Sequence, residues 1–336
     1  MLQFKNKTPF VGTVVVALDP DGVESMYTIV KGTFDLAPSP RPLPEQAPIV
    51  AADAFHDDPL TSSIRFPSDV SLMKPGTDVV VLGNAHAPYH RPTPAMDVRV
   101  QVGALGKSVR VTGDRRWEQS GAGYSATNPA PFVLMPLVWE RAFGGRDETP
   151  KQGLVVDARN PVGTGFRDAS GESAIDGTPL PNVEDPSDLV MSWKQRPAPA
   201  CFAPVARHWE PRRFFAGTYD EQWEQQRAPI LPTDFDPRYF QFAPEGLVSV
   251  TPLRGGEQVQ IWGMAPDRVI EFTLPAPQLE IVYRFDNARE PKPAVLDTVI
   301  ILPDEGQLHL VWRAMVTTDK RTLQVREIRA RLASAA

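Results

Sequence analysis

The fold class is decided by one stretch, Val98-Arg-Val-Gln-Val102, followed by Gly103-Ala-Leu-Gly106 and Lys107-Ser-Val-Arg-Val111. Valine alternates with other residues on both sides of a connection bounded by glycines. A period of two is typical of an extended strand, because successive side chains point to opposite faces. Two such segments joined by a short glycine-containing connection predict a β-hairpin.

Further strand patterns occupy both ends of the chain. In the first third, two strands are predicted at residues 10–18 and 26–36, around the turn Asp19-Pro-Asp-Gly22, and a short apolar strand at 79–82. In the last third, strands are predicted at residues 247–251, 258–262, 269–274, 278–285, 298–302, 308–316 and 322–329. Strands this short and this regularly spaced predict a mainly β protein, either sandwich-like or built from several antiparallel sheets.

Proline content limits what lies between these ends. The 336 residues include 36 prolines, about twice the usual ~5%, which argues against long helices because proline interrupts their hydrogen bonding. The sequence therefore predicts N-terminal β-hairpins in residues 1–118, a loop-rich middle in 119–246 and an antiparallel β region in 247–333, which can pack as one unit. One or two short helices are expected. The clearest covers residues 219–226, with Thr218 as its N-cap and Glu221 as the capping-box partner.

Composition also excludes several classes of protein. A single cysteine, Cys201, rules out an internal disulfide framework and a thiolate zinc cluster. No apolar run approaches the ~18 residues that span a bilayer. The net charge of −6 disfavours nucleic-acid binding, which requires a basic surface. We therefore expect a cytoplasmic protein without a nucleic-acid or membrane partner.

Motifs for catalysis or cofactor binding are missing from the sequence. His86 and His90 are four residues apart, but Pro88 lies between them and prevents the helix that would bring them onto one face. Cys201 has His208 seven residues on, without a residue placed to orient that histidine. Nucleophile-elbow, Walker and dinucleotide fingerprints are absent. The sequence predicts no catalytic residue, no metal and no cofactor.

Two stretches rich in tryptophan, tyrosine and arginine are candidates for partner binding: Trp139-Glu-Arg-Ala-Phe-Gly-Gly145 and the segment from Arg212 to Trp223. These residue types dominate interface hot spots, but large buried rings also stabilise loop-rich regions. Both interpretations stay open. Acidic residues accompany the second stretch and could hold a sugar or could cap a helix and form turns; they are Asp220, Glu221, Glu224, Asp234 and Asp236.

The sequence resembles a domain-of-unknown-function family encoded beside type VI secretion genes. The strongest likeness is Gly217-Thr-Tyr-Asp-Glu-Gln-Trp223, continuing through Arg227 and Pro229 to Leu231-Pro-Thr-Asp-Phe-Asp236. Further matching residues are the 139–145 stretch, Asn160-Pro-Val-Gly163, Ser68-Asp69, Lys74, Thr77-Asp78, Gly113-Asp-Arg115, Trp117 and Leu253-Arg-Gly-Gly-Glu257. The resemblance covers nearly the whole chain and brings no catalytic residues with it. The residues expected to bind a partner or to support the motif are Trp139, Arg141, Phe143, Gly144, Gly145, Gly217, Tyr219, Asp220, Trp223, Arg227, Asp234 and Asp236.

This resemblance implies a non-enzymatic adaptor or chaperone in the bacterial cytoplasm. Such a protein would bind a secreted toxin effector and assist its loading onto the VgrG spike or PAAR tip protein. Two alternatives stay open from the residues themselves. One is an enzyme that acts on a glycan or peptide through the acidic and aromatic residues of 220–236, and the other is a small-ligand-binding β module.

Overall fold

The computed structural model describes residues 2–150, 153–168 and 174–333, which contain twenty-four strands and one α-helix. The helix is α1 (Glu221–Gln226), and 3-10 turns cover Pro88–His90, Trp139–Arg141, Arg212–Ala216, Pro237–Phe240 and Thr322–Gln324. The strands are β1 (Gln3–Asn6), β2 (Val11–Leu18), β3 (Glu24–Asp35), β4 (Ala54–Phe55), β5 (Ile64–Phe66), β6 (Asp78–Val81), β7 (Asn84–His86), β8 (Ala95–Val102), β9 (Leu105–Thr112), β10 (Trp117–Ser120), β11 (Gly123–Ala126), β12 (Leu134–Pro136), β13 (Phe143–Gly144), β14 (Arg146–Asp147), β15 (Val155–Val156), β16 (Thr164–Gly165), β17 (Val183–Glu184), β18 (Gln258–Trp262), β19 (Ile270–Thr273), β20 (Leu279–Phe285), β21 (Arg289–Pro293), β22 (Val295–Leu302), β23 (Gln307–Thr317) and β24 (Val325–Leu332).

Three larger sheets organise the described residues. Sheet I has the order β2-β3-β23-β22-β6, sheet II the order β17-β9-β8-β18-β19 and sheet III the order β1-β24-β20-β21. Every one of them combines strands from the first and last thirds of the chain. The prediction of a mainly β, multi-sheet protein is confirmed. Sheets I and III are mixed, because β6 is parallel to β22 and β1 is parallel to β24, whereas sheet II is antiparallel throughout.

The hairpin predicted from alternation is β8 and β9. Val102 pairs with Leu105, so the turn consists of Gly103 and Ala104 alone. Gly103 has a φ of +55°, which a two-residue hairpin turn needs at its first central position and which glycine adopts without steric cost. The valines of both strands are buried in the core and comprise Val98, Val100, Val102, Val109 and Val111.

One hydrophobic core joins the inner faces of the three sheets. The rings of Phe10 and Trp312 stack in it with centroids 5.5 Å apart. The hydroxyl of Tyr283 on sheet III donates to the carbonyl oxygen of Ala314 at 3.1 Å and lies 2.9 Å from the Thr28 hydroxyl on sheet I. Burial raises the pKa of Tyr283, so this phenol stays neutral and links the two sheets.

The opposite face of sheet I carries buried charges and contacts both ends of a covering segment, residues 46–74. Lys31 on β3 pairs with Asp69 at 2.9 Å. Arg313 on β23 pairs with Asp297 at 2.5 Å and donates to the carbonyl oxygens of Ser71 and Asp69 at 2.8 and 2.9 Å. These side chains are at most 3% exposed. Separating the covering segment from the sheet would therefore break buried, charge-assisted hydrogen bonds.

A third buried pair lies at the edge of the same sheet. The ammonium of Lys74 is 2.7 Å from both the Asp78 carboxylate and the Thr298 hydroxyl, and 3.9 Å from the centre of the Phe242 ring. The Asp78 carboxylate also accepts the backbone N–H groups of Phe242 and Ala243. The pair therefore joins β6 to the segment that follows the loop-rich middle.

Two predicted strands differ from the structure, and strand β21 lies outside the predicted ranges. Residues 247–251 form no strand but a single bridge between Val248 and Asp78, since Pro244 and Pro252 bound the run and limit its ladder. The predicted strand at 322–329 begins with a 3-10 turn and becomes β24 three residues later. Strand β21 was not predicted because its two prolines argue against a strand, but both are tolerated at the edge of sheet III.

In the described residues, no helix is long and apolar enough to cross a membrane.

Candidate functional site

The two aromatic stretches singled out from the sequence occupy contrasting environments. Trp139 and Phe143 are 3% and 2% exposed and lie inside two small hydrophobic clusters. In residues 212–240, all of which the structure describes, only Arg212 and Pro232 are buried. The first stretch is therefore part of the interior, and the second lies on the surface.

The interior stretch is held together by Asn160. Its Nδ2 donates to the carbonyl oxygens of Trp139 and Phe143 at 2.8 and 3.0 Å. The indole N–H of Trp139 lies within hydrogen-bonding distance of the carbonyl oxygens of Ala203 and Pro204, at 3.1 and 2.9 Å. These bonds satisfy buried polar groups in a region without long strands, so the stretch supports the fold.

Gly144 and Gly145 allow two backbone segments to approach each other. Their φ angles are +143° and +110°. A Cβ on Gly144 would lie 2.3 Å from the Asn160 carbonyl oxygen, and one on Gly145 would lie 2.3 Å from that of Gly163. Any larger residue would separate the two segments, which explains the glycines in terms of packing.

Charged members of this stretch bind neighbouring loops. The guanidinium of Arg141 is 3.1 Å from the Asp114 carboxylate and 2.9 Å from the Asn182 side-chain oxygen, and it is 41% exposed. The Glu140 carboxylate accepts the backbone N–H and the hydroxyl of Ser63 at 2.7 and 2.8 Å. Arg141 is thus the only expected binding residue of this stretch that lies partly open to solvent.

The surface stretch contains α1, which is capped by Asp220. The Asp220 carboxylate accepts the Trp223 backbone N–H at 2.8 Å. The prediction that Thr218 caps the helix with Glu221 as its partner is wrong. The backbone N–H and hydroxyl of Thr218 instead donate to the Asp234 carboxylate at 2.9 and 2.7 Å, because the chain folds back and brings that acceptor within reach.

Trp223 is half-buried rather than enclosed. Its indole N–H donates to the Ile230 carbonyl oxygen at 2.8 Å, and its ring meets that of Tyr219 edge to face at 4.7 Å. The ring of Phe235 lies against that of Tyr239, with ring centroids 5.8 Å apart. The tryptophan therefore closes the loop that follows α1 and leaves Tyr219 53% exposed.

Gly217 is required at the start of this surface stretch. Its φ is +79°, and a Cβ there would lie 2.8 Å from Oδ1 of Asp234 and 2.9 Å from Cβ of Pro232. Both the dihedral angle and the close approach favour glycine.

Two arginines fasten the segment to neighbouring parts of the protein, Arg212 to the preceding loop and Arg227 to the turn between β2 and β3. Arg212 donates to the carbonyl oxygens of Val205 and Tyr239 at 2.6 and 2.9 Å. Arg227 donates to the carbonyl oxygens of Leu231 and Pro20, the latter at 3.0 Å in the turn between β2 and β3. Residues 212–240 are therefore exposed but held in place.

A groove of about 510 Å³ opens to solvent beside α1. Asp220, Trp223, Arg227 and Asp234 are among the residues that line it. The structure thus brings together four of the residues expected from the sequence. Phe214, which is 64% exposed on the same segment, was not among them, although its place in the Arg212–Trp223 stretch signalled it.

The carboxylates around this groove favour structure over proton transfer. Hydrogen bonds from Thr218, the backbone N–H first, lower the pKa of Asp234. The guanidinium of Arg238 is 2.6 Å from Asp236 and lowers the pKa of that carboxylate. A general acid in glycoside hydrolysis needs a raised pKa, so these two groups are unsuited to that role.

Other candidate residues are placed apart from the groove. Within the described ranges, no three histidine, cysteine or acidic side chains are grouped so that they could hold a metal ion. Nε2 of His86 lies 2.6 Å from the Asp304 carboxylate. Cys201 is fully buried, its Sγ lies 3.3 Å from the Leu137 carbonyl oxygen, and burial raises the pKa of its thiol to about 12. A thiol with that pKa is a poor nucleophile at neutral pH.

Comparison with protein families gives a match over residues 21–313, to a family described as "Uncharacterized protein conserved in bacteria (DUF2169)". The chain belongs to the DUF2169 family. Both aromatic stretches and all three buried ion pairs of this DUF2169 chain lie inside the matched range. Comparisons with curated proteins and with solved structures found no match.

Proposed function

We propose that this protein is a non-enzymatic cytoplasmic adaptor that binds a type VI secretion effector and assists its loading onto the VgrG spike or PAAR tip. The observation that carries the proposal is the surface segment 212–240, which is exposed yet fixed by hydrogen bonds. The whole-chain resemblance described above supplies the effector and the spike as its partners.

Order in the unbound state favours binding by such a segment. Asp220, Asp234 and Arg227 already hold the loops on either side of α1, so little conformational entropy remains to be lost on association. Tyr219 and Phe214 present large exposed rings, and aromatic residues supply a large share of interface energy. Recognition of a folded or extended protein partner fits this surface.

The enzyme alternative has weaker support. It requires a carboxylic acid that stays protonated near neutral pH, but the pKa values of Asp234 and Asp236 are lowered by their hydrogen bonds. The ligand-binding alternative would use the groove beside α1, which is open and polar, whereas small-molecule sites are usually enclosed and largely apolar.

Calorimetry with purified chain and the effector encoded beside its gene tests the proposal. Substituting Tyr219→Ala and Phe214→Ala together should weaken binding by about tenfold or more, because two exposed rings leave the contact surface. Tyr124→Ala is the matched control, since Tyr124 is 40% exposed on β11, away from the segment.

Secretion assays provide the second test. A strain without this gene should assemble its secretion apparatus and fail to deliver that one toxin. The proposal is wrong if the strain delivers the toxin at the normal level, or if the double variant binds the effector as tightly as the Tyr124→Ala control does.

A further inference from the structure

The outer face of sheet III carries a concentration of arginines. The alternate side chains of β20 that point inward lie in the core, so Glu280, Val282 and Arg284 point outward. On this face, Gln3, Glu327, Arg284 and Arg289 lie side by side across the four strands. These side chains therefore form one continuous surface that the backbone of sheet III supports.

Arg284 and Arg289 are directly opposite each other on antiparallel strands β20 and β21. Both are exposed, and among the described residues neither guanidinium has an ion-pair or side-chain hydrogen-bond partner. Like charges in this arrangement destabilise a strand pair. No contact among the described residues therefore explains why arginine occupies both positions.

The charges of this face, Arg284 and Arg289 included, compensate one another only in part. Arg326 pairs with Asp286 at 2.5 Å, Arg331 with Glu280 at 2.5 Å, and Lys5 and Arg329 share Glu327. Six cationic side chains thus face three carboxylates, which leaves an excess of three positive charges. The cations are Lys5, Arg284, Arg289, Arg326, Arg329 and Arg331, and the carboxylates are Glu280, Asp286 and Glu327.

Two clefts open where the unpaired arginines lie. One of about 460 Å³ is lined by Arg284, Lys5 and Glu327, and one of about 290 Å³ by Arg284, Arg289 and Arg329 around Val282. Val282 is 4% exposed and provides an apolar floor. Arg284 borders both clefts, so a ligand that spans them would meet its guanidinium at the centre.

We propose that the outer face of sheet III binds an acidic peptide segment of a protein partner, whose carboxylates pair with Arg284 and Arg289. The charge of the face is opposite to the net charge of −6 of the whole chain, and guanidinium groups bind carboxylates through two parallel hydrogen bonds. Glu327 and Glu280 lie between the cations and would repel the continuous phosphates of a nucleic acid. A peptide can place neutral or basic residues opposite them.

This inference goes beyond the adaptor function and holds without it. Its test is fluorescence anisotropy with the full chain and a fluorescein-labelled peptide of six alternating glutamate and serine residues. Arg284→Gln/Arg289→Gln should weaken binding by about tenfold or more, because two charge-assisted pairs are lost. Arg254→Gln/Arg268→Gln removes two exposed arginines outside sheet III and should change affinity by less than about twofold, since screening limits their long-range effect.

A second variant tests whether a loss of peptide binding results from misfolding. Arg289→Glu places a carboxylate opposite Arg284 and should leave the Tm equal to or above that of the unchanged chain while peptide binding is lost. The inference is overturned if the unchanged chain does not bind the peptide, if the Arg254/Arg268 control loses as much affinity, or if a glutamine-serine peptide binds equally well. Tighter binding of a twelve-nucleotide single-stranded DNA than of the peptide would overturn it in favour of a nucleic-acid partner.

Discussion

His309 shows how a single buried side chain makes the stability of the protein depend on pH. It lies on β23, on the face of sheet I that carries the buried charges, and is 5% exposed. Burial, followed by the nearby charge of Lys31, lowers its pKa to about 4. Its Nε2 lies 3.3 Å from Oε1 of Gln307, but its Nδ1 has no hydrogen-bond partner, so the second N–H of a protonated ring would have no acceptor.

The free energy of unfolding should therefore fall as the pH decreases from 6.5 to 4. In this range the histidine of the unfolded chain takes up a proton and that of the native chain does not, so protonation stabilises the unfolded state. The stability is fully present above pH 6.5, and a pKa difference of this size corresponds to a loss of about 3 kcal/mol by pH 4. Urea unfolding at a series of pH values should show that loss for the unchanged chain and a much smaller one for His309→Gln. The exposed His56→Gln variant should behave like the unchanged chain, and an equal slope in His309→Gln would contradict the assignment.

Asp220 is the second residue whose role the structure defines. Asp220→Ala removes the acceptor for the first turn of α1 and should cost about 1 kcal/mol of local stability. Hydrogen exchange of the Trp223 amide should become about fivefold faster, which corresponds to that free energy. Gln225→Ala, at an exposed position of the same helix, should leave the exchange rate nearly unchanged. Faster exchange of this amide in Thr218→Ala but not in Asp220→Ala would show that Thr218 is the N-cap residue.

At the scale of elements, the interior stretch depends on one side chain that links three short segments. Asn160→Ala removes a buried donor from the carbonyl oxygens of Trp139 and Phe143. The Trp139 carbonyl oxygen keeps the bond from the Ala142 N–H, so the loss of two buried hydrogen bonds should cost about 2–3 kcal/mol of global stability. Chemical denaturation followed by tryptophan fluorescence measures the change. Asn287→Ala, at an exposed position, is the control, and an equal effect of both substitutions would show that the link is not needed.

At the scale of the whole molecule, buried ion pairs between sheet I and the segment that covers it should control global stability. Lys31→Met leaves the Asp69 carboxylate buried without its ammonium partner, which should cost about 3–5 kcal/mol. The double variant Lys31→Met/Asp69→Asn should recover part of this loss in denaturant unfolding, because no unpaired charge remains. Removing the exposed Arg326 with Arg326→Gln should leave stability almost unchanged. Equal losses in the buried and exposed variants would show that burial does not control the energy of these pairs.

Local patterns in the sequence determined where most strands of the three larger sheets lie. Alternation in β8, β9 and β18 is a property of consecutive residues, and those strands follow the predicted ranges closely. The proline content likewise argued against long helices and predicted the loop-rich middle. The sequence could not predict that β3 pairs with β23, because partners 272 to 292 positions apart are selected by the packing of both sheet faces rather than by local propensity.

For the candidate site, too, part could be predicted from the sequence and part was decided only by the tertiary structure. The sequence identified two stretches with similar residue types, but only the tertiary structure placed Trp139 in the interior and Tyr219 on the surface. It also gave the helix cap to Asp220, because the fold brought the Asp234 carboxylate to Thr218. Arg284 and Arg289 lie opposite each other because β21 pairs with β20, and β21 was not predicted from the sequence. Composition and periodicity describe what each segment can form, while burial and partnership depend on contacts between distant segments, whose energies arise only when the sheets assemble.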